Sequence, residues 1–146
     1  MLILSISTPL TLGIYRDGLL VEKIESDQKI SEVLLKIITE VLHRYPVKKI
    51  LYTNGPGSYM SIKLTYIILK TIEIVKRIPF AACSAFEFNE GKPIKAIGKL
   101  YFVKKESGIT TQRFEELLPQ DFTLPFSLET LPIAEHSVPD YSLPAV

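Results

Sequence analysis

The chain has 146 residues, 47% hydrophobic and 23% charged, with a formal net charge of +1; this suits one packed core and excludes a disordered, highly charged chain. One cysteine and two distant histidines exclude a disulfide framework and a Cys/His zinc site. The opening residues lack the basic flank and cleavage pattern of a signal peptide.

Residues 2–7 form one apolar run, 10–16 a second and 19–25 a third, and Asp17-Gly18 between the last two is a strong two-residue hairpin signal. A meander of three strands is expected. Next, Ile30, Val33, Leu34, Ile37, Ile38, Val41, Leu42 and Tyr45 recur at helical spacing, with Ser26 or Asp27 as a cap and Pro46 at the end. A fourth strand over 49–53 leads into Asn54-Gly55-Pro56-Gly57-Ser58, and a second helix is expected over 59–77, with a stop at Pro79 and a fifth strand over 80–84. Lys63, Lys70, Glu73, Lys76 and Arg77 interrupt that apolar helix, which argues against a membrane span. The order β-β-β-α-β-α-β predicts an α/β, RNase H-like layer with a mixed sheet covered by helices.

The Gly-Pro-Gly-Ser turn carries two readings. Its glycines let the backbone pass close to another group and Ser58 caps the helix that follows, while the N–H groups at the helix start could face an anion. A phosphate loop of the G-x-x-x-x-G-K-[ST] kind is rejected, because Ser58-Tyr59 stand where Lys-Ser/Thr is needed.

After Gly108 there is no glycine, yet five of the ten prolines fall there: Pro119, Pro125, Pro132, Pro139 and Pro144. Phe114, Leu117, Leu118, Phe122, Leu124, Phe126, Leu128 and Leu131 are interspersed, so the tail is no plain linker. A short helix over 111–118 is expected, then an extended segment packed over the first lobe, then a frayed end. Charge is uneven: 16 Lys+Arg against 9 Asp+Glu through residue 105 is +7, and 1 against 7 thereafter is −6. Lys92, Lys95, Lys99, Lys104 and Lys105 are the densest cluster, either a face that attracts nucleic acid or an ordinary solvated hairpin.

No enzyme constellation emerges. Cys83 lies in an apolar strand and reads as a buried thiol; His43 and His136 have no neighbouring pattern that would orient them as bases. Glu115-Glu116 and the Glu87/Glu90 pair read as surface acids. No catalytic residue, metal site or cofactor is expected.

The segment Gly55-Pro56-Gly57-Ser58-Tyr59-Met60-Ser61-Ile62-Lys63-Leu64-Thr65 resembles the signature Gly-Pro-Gly-Ser-Phe-Thr-Gly-Leu-Arg-Ile-Gly of the TsaB family, also called YeaZ. That family is the companion subunit in bacterial synthesis of threonylcarbamoyladenosine on tRNA. The first four residues match, Tyr59, Ile62, Lys63 and Leu64 are similar, and Met60, Ser61 and Thr65 depart. Residues 2–8, Ile78-Pro79, 84–87 and 94–105 add similarity, so the resemblance spans residues 1–105.

The resemblance implies an RNase H-like single lobe of the actin, Hsp70 and sugar-kinase kind over 1–90, and an incomplete second lobe over 91–146. Ser7 stands where the superfamily has the Asp that holds the nucleotide's metal, and Thr8-Pro9 follow. A hydroxyl is a weak ligand for a hard cation, so the superfamily's ATP chemistry is expected to be absent. The implied role is a non-catalytic, cytoplasmic scaffold that supports a TsaD-like subunit in threonylcarbamoyl transfer to the adenosine beside the anticodon, with a TsaE-like ATPase and tRNA in the complex. A homodimeric structural module is the alternative, and a kinase-like nucleotide binder a weaker one. Family members pair through this helix pair, with themselves or with TsaD. The implied interface residues are Leu35, Ile38 and Leu42 on the first helix and Ile62, Leu69 and Ile72 on the second, the latter three lying away from an arc of Leu64, Ile68 and Val75.

Overall fold

The computed structural model describes residues 1–6 and 8–140. Its elements follow in the order β1 (Leu2–Leu4), β2 (Leu10–Arg16), β3 (Leu19–Ser26), α1 (Ile30–Arg44), β4 (Ile50–Thr53), α2 (Tyr59–Lys76), β5 (Phe80–Cys83), β6 (Ile94–Lys95), β7 (Leu100–Lys105) and β8 (Gly108–Arg113). A mixed five-stranded sheet has the order β3-β2-β1-β4-β5, antiparallel from β3 to β1 and parallel from β1 to β5. The hairpin expected at Asp17-Gly18 joins β2 to β3, and both residues take the positive φ that such a two-residue turn requires.

Every residue of β1 and β4 is buried, so the sheet needs cover on both faces. Ile3, Leu12, Ile14, Ile50, Tyr52 and Ala82 join one cluster with Leu34, Ile38 and Val41 of α1 and Ile62, Leu69 and Ile72 of α2. Leu2, Leu4, Leu51 and Cys83 point the other way and pack with Phe88 and Leu124. Among the described residues no α-helix lies there, only the short 3-10 turn Ala85–Phe88 that carries Phe88. The cover is the Pro-rich tail, an extended strap with almost no regular structure.

Backbone hydrogen bonds hold the strap at intervals. Thr123 N–H donates to Phe88 O, Leu20 N–H to Phe126 O, Leu128 N–H to Gly18 O and Ala134 N–H to Ala82 O, so the strap crosses from the β3 side and then runs along the outer edge of β5. Tyr15 Oη donates to Pro125 O at 2.6 Å. Gly13 makes room for this crossing: a Cβ there would lie 2.7 Å from Tyr15 Cε1 and 3.1 Å from Leu124 Cδ1. A glycine inside a strand thus marks a close approach.

A second sheet, β6-β7-β8, leans on the helix-side core through Ile94 and Phe102. The helix expected over 111–118 is absent. Residues 108–113 are instead strand β8, paired with β7, because Thr110 and Thr111 suit a ladder. The following Leu117 is 81% exposed, so no buried apolar face would have held a helix. The capping expectation for α1 also fails: Lys29 occupies the N-cap without a side-chain bond, and Ser26 Oγ accepts from Gln28 N–H. The expected frayed end, from 141 onward, lies outside the described residues.

Two variants test the strap's packing. Leu124→Ala should cost about 2–5 kcal/mol and Gly13→Ala about 1–3 kcal/mol in denaturant titrations, although residues 13 and 124 lie in distant parts of the chain. Burial pushes the Tyr15 phenol up to about 12. Folded Tyr15 therefore holds its proton more tightly than unfolded tyrosine, and its contribution to stability is complete below about pH 10 and lost as pH climbs toward 12. The bond to Glu22 also raises the Tyr45 phenol, so an absorbance titration should show a late-ionising component that Tyr15→Phe diminishes without abolishing.

Candidate functional site

The Gly-Pro-Gly-Ser turn sits at the C-terminal end of β4, wedged against the ends of β1 and β5. Gly55 O accepts from Ala85 N–H at 2.8 Å, and Ser58 N–H donates to Ile6 O at 3.3 Å. Gly57 has φ 154°, and a Cβ there would lie 2.7 Å from Ile6 Cβ. Only glycine fits. Ser58 is the N-cap of α2, its Oγ accepting from Ser61 N–H at a long 3.4 Å. Two donors at the helix start are thereby committed within the chain. Ser58, Gly57, Ile6, Lys95 and Gln120 border a cleft of about 290 Å³ against the second sheet, where Lys95 is the one cation among the described residues. On the other side Pro139 and Asp140 close over the turn, where Asp140 N–H donates to Asn54 O and Asn54 Nδ2 donates to Val138 O.

Ser7 lies outside the described residues. Its neighbour Ser5 is fully buried and bonds Thr65 of α2, Oγ to Oγ1 at 2.6 Å, while Thr65 Oγ1 also reaches Ser61 O. This polar tie docks α2 on the end of β1. It also turns the helix away from the expected orientation: Ile62, Thr65, Leu69 and Ile72 face inward, Leu64 and Ile68 of the expected arc pack at the core's edge, and Val75 is 72% exposed. A threonine at the centre of the inward stripe hides that stripe from an apolar count.

Of the six expected interface residues, Ile38, Ile62, Leu69 and Ile72 are therefore buried in the chain's own core. Leu35 and Leu42 are instead brought together at the surface beside Ile72. With Thr39, His43, Thr71, Val75 and Lys76 they line a groove of about 200 Å³ between α1 and α2 on the outer side of the molecule. Leu35 is 60% exposed, and Met60, Ile67 and Ile74 extend the apolar surface of α2.

The lysine cluster is largely neutralised. Lys92, Lys99 and Lys104 pair with Glu90, Glu115 and Glu87, which leaves an ordinary charged hairpin face. Cys83 is buried, and burial, with the charge of Glu87 adding to it, pushes its thiol up to about 11. Among the described residues no group of three or more His, Cys, Asp or Glu side chains could hold a metal ion, and no helix is long and apolar enough to cross a membrane.

No protein-family model matches the chain, and no curated protein matches it in sequence. Its fold has solved counterparts, and they define its class: a mixed α/β lobe that fits an RNase H-like fold. The chain is similar in structure to YeaZ from Pseudomonas aeruginosa, with a TM-score of 0.55 at 12% identity over 82% of this chain and 69% of that one. It is also similar to an uncharacterized protein described as having similarity to peptidase YeaZ from Pseudomonas aeruginosa, with a TM-score of 0.53 at 12% identity over 88% of this chain and 70% of that one.

The turn's tightness predicts a graded response. Gly57→Val should cost at least about 1–3 kcal/mol by forcing Ile6 aside, whereas Ser58→Ala should cost only about 0.5 kcal/mol, because the cap bond is long. Thermal melts of the two variants check the order. A thiol reagent at pH 8 should modify Cys83 roughly a hundredfold more slowly in the folded protein than in denaturant, since both burial and the raised pKa suppress the thiolate.

Proposed function

We propose that this chain is a TsaB-like, non-catalytic scaffold in the cytoplasm that binds a TsaD-like subunit and supports threonylcarbamoyl transfer to the adenosine beside the tRNA anticodon. Residues 1–90 act as the RNase H-like lobe and 91–146 as an incomplete second lobe whose tail straps the first. A TsaE-like ATPase and tRNA are further members of that complex, which involves no membrane. Similarity to the YeaZ fold supports this reading, and so does the Gly55 to Ser58 turn at the start of α2.

The observation that carries it is the apolar groove between α1 and α2 with the exposed Ile67, Ile74 and Val75 beside it. A helix pair that has already buried one face against the sheet and still presents a second apolar face is suited to dock on other helices. A homodimer through the same face is the second reading, since a self-complementary groove would serve equally well.

Affinity purification of the tagged chain from its native cell, with mass spectrometry of what binds, should recover a TsaD-like protein. Recovery of the chain alone, as a dimer, would favour the homodimeric module. Leu35→Glu and Val75→Glu should weaken the association by about tenfold or more with unchanged circular dichroism, each losing an apolar contact of about 1.5–3 kcal/mol. Leu69→Glu should instead unfold the chain. Full association in both surface variants would move the interface elsewhere.

A further inference from the structure

A large cleft lies at the opposite end of the sheet from the Gly-Pro-Gly-Ser turn. It holds about 400 Å³, within the range of pockets that take small organic ligands, roughly 300–1,000 Å³. Four segments build it: Met1 before β1, the β2–β3 hairpin with Arg16, Asp17 and Val21, the connection from α1 to β4 with Tyr45, Lys48 and Lys49, and the strap with Leu128. The strap is fixed there by the bond from Leu128 N–H to Gly18 O. The walls are therefore not loose loops.

The lining divides by chemistry. Ile14, Val21, Val47, Leu51 and Leu128 supply apolar surface, and the rings of Tyr15 and Tyr45 are anchored through their hydroxyls, to Pro125 O at 2.6 Å and to Glu22 Oε1 at 3.0 Å. Arg16, Lys48 and Lys49 supply positive charge, and none of them forms an ion pair among the described residues, whereas Lys23, Arg44, Lys70, Lys92, Lys99, Lys104 and Arg113 all do. Among the described residues Asp17 is the one carboxylate in the lining. The nearby Glu22 is held by Arg44 and Tyr45.

We propose that this cleft binds a small organic anion, a phosphate or carboxylate carried on a flat apolar body: the apolar walls and tyrosine rings take the body, and Arg16 with Lys48 and Lys49 takes the charge. Unpaired cations at the mouth of an apolar cleft gain most from an anion whose body also displaces water from the walls. The assignment is independent of the scaffold reading, because the cleft shares no residue with the groove between α1 and α2.

The test is a titration of the full chain with phenyl phosphate, followed by amide chemical shifts in nuclear magnetic resonance. Phenyl phosphate should shift Gly18, Val21 and Val47, and do so at least about tenfold more tightly than either inorganic phosphate or phenol. Arg16→Ala and Lys49→Ala, both at exposed positions, should each weaken binding by about tenfold with unchanged circular dichroism, and added salt should weaken it further. Inorganic phosphate binding as well as phenyl phosphate would overturn the proposal, as would shifts centred on Ser58 and Lys95. Unaltered affinity in both variants, or no shift at millimolar ligand, would do the same.

Discussion

A sheet whose central strands expose nothing must be covered twice, and the rest of this molecule follows from that requirement. Leu2, Leu4 and Leu51 face away from the helices and would meet water if nothing lay over them. In most α/β folds further helices take that position. Here an extended chain does so, with Leu124 seated over Gly13 and Tyr15 tied to Pro125. Prolines suit such a cover, because they stiffen an extended path, and a segment without a sheet ladder loses little by lacking their N–H groups. The strap also lies along the outer edge of β5 and so protects an otherwise open strand.

The same requirement positions the candidate sites. Because the helices serve only one face of the sheet, α1 and α2 stand side by side with their far surfaces unoccupied, which leaves Leu35 and Val75 at a groove. The strap's path determines the rest. It brings Leu128 to the basic cleft at one end of the sheet and Asp140 to the Gly-Pro-Gly-Ser turn at the other. Two close approaches hold α2 in register with β1: Gly57 against Ile6, and Ser5 against Thr65. A side chain at Gly57 or an apolar residue at Thr65 would change the seat of the helix that carries half of the groove.

Local signals in the sequence were enough for the order of the first five strands and two helices, because each relies on periodicity or on turn residues such as Asp17-Gly18. The extended strap was also legible, from prolines mixed with large apolar residues. The orientation of α2 was not. Thr65 breaks the inward stripe of Ile62, Leu69 and Ile72, so an apolar count favours the neighbouring arc of Leu64, Ile68 and Val75, of which only the first two reach the core. The segment after residue 108 misled in a similar way, since Phe114 and Leu117 suggest a helix whose alternative, pairing with β7, depends on a neighbouring strand. The basic cleft had no local signal at all. Arg16, Lys49 and Leu128 meet only once the fold has formed. Gly13, isolated within a strand, is a further hint, unused in the sequence reading, that something distant presses on the sheet.

Hydrogen exchange on the intact chain tests most directly whether the strap is an integral layer. The amides of Leu20, Thr123, Leu128 and Ala134, all bonded across the strap, should be protected to nearly the same degree as those of β4, and should exchange with it in one cooperative opening. Exchange of these four at the rate of an open loop, while β4 stays protected, would contradict the account and leave the second face of the sheet without its cover.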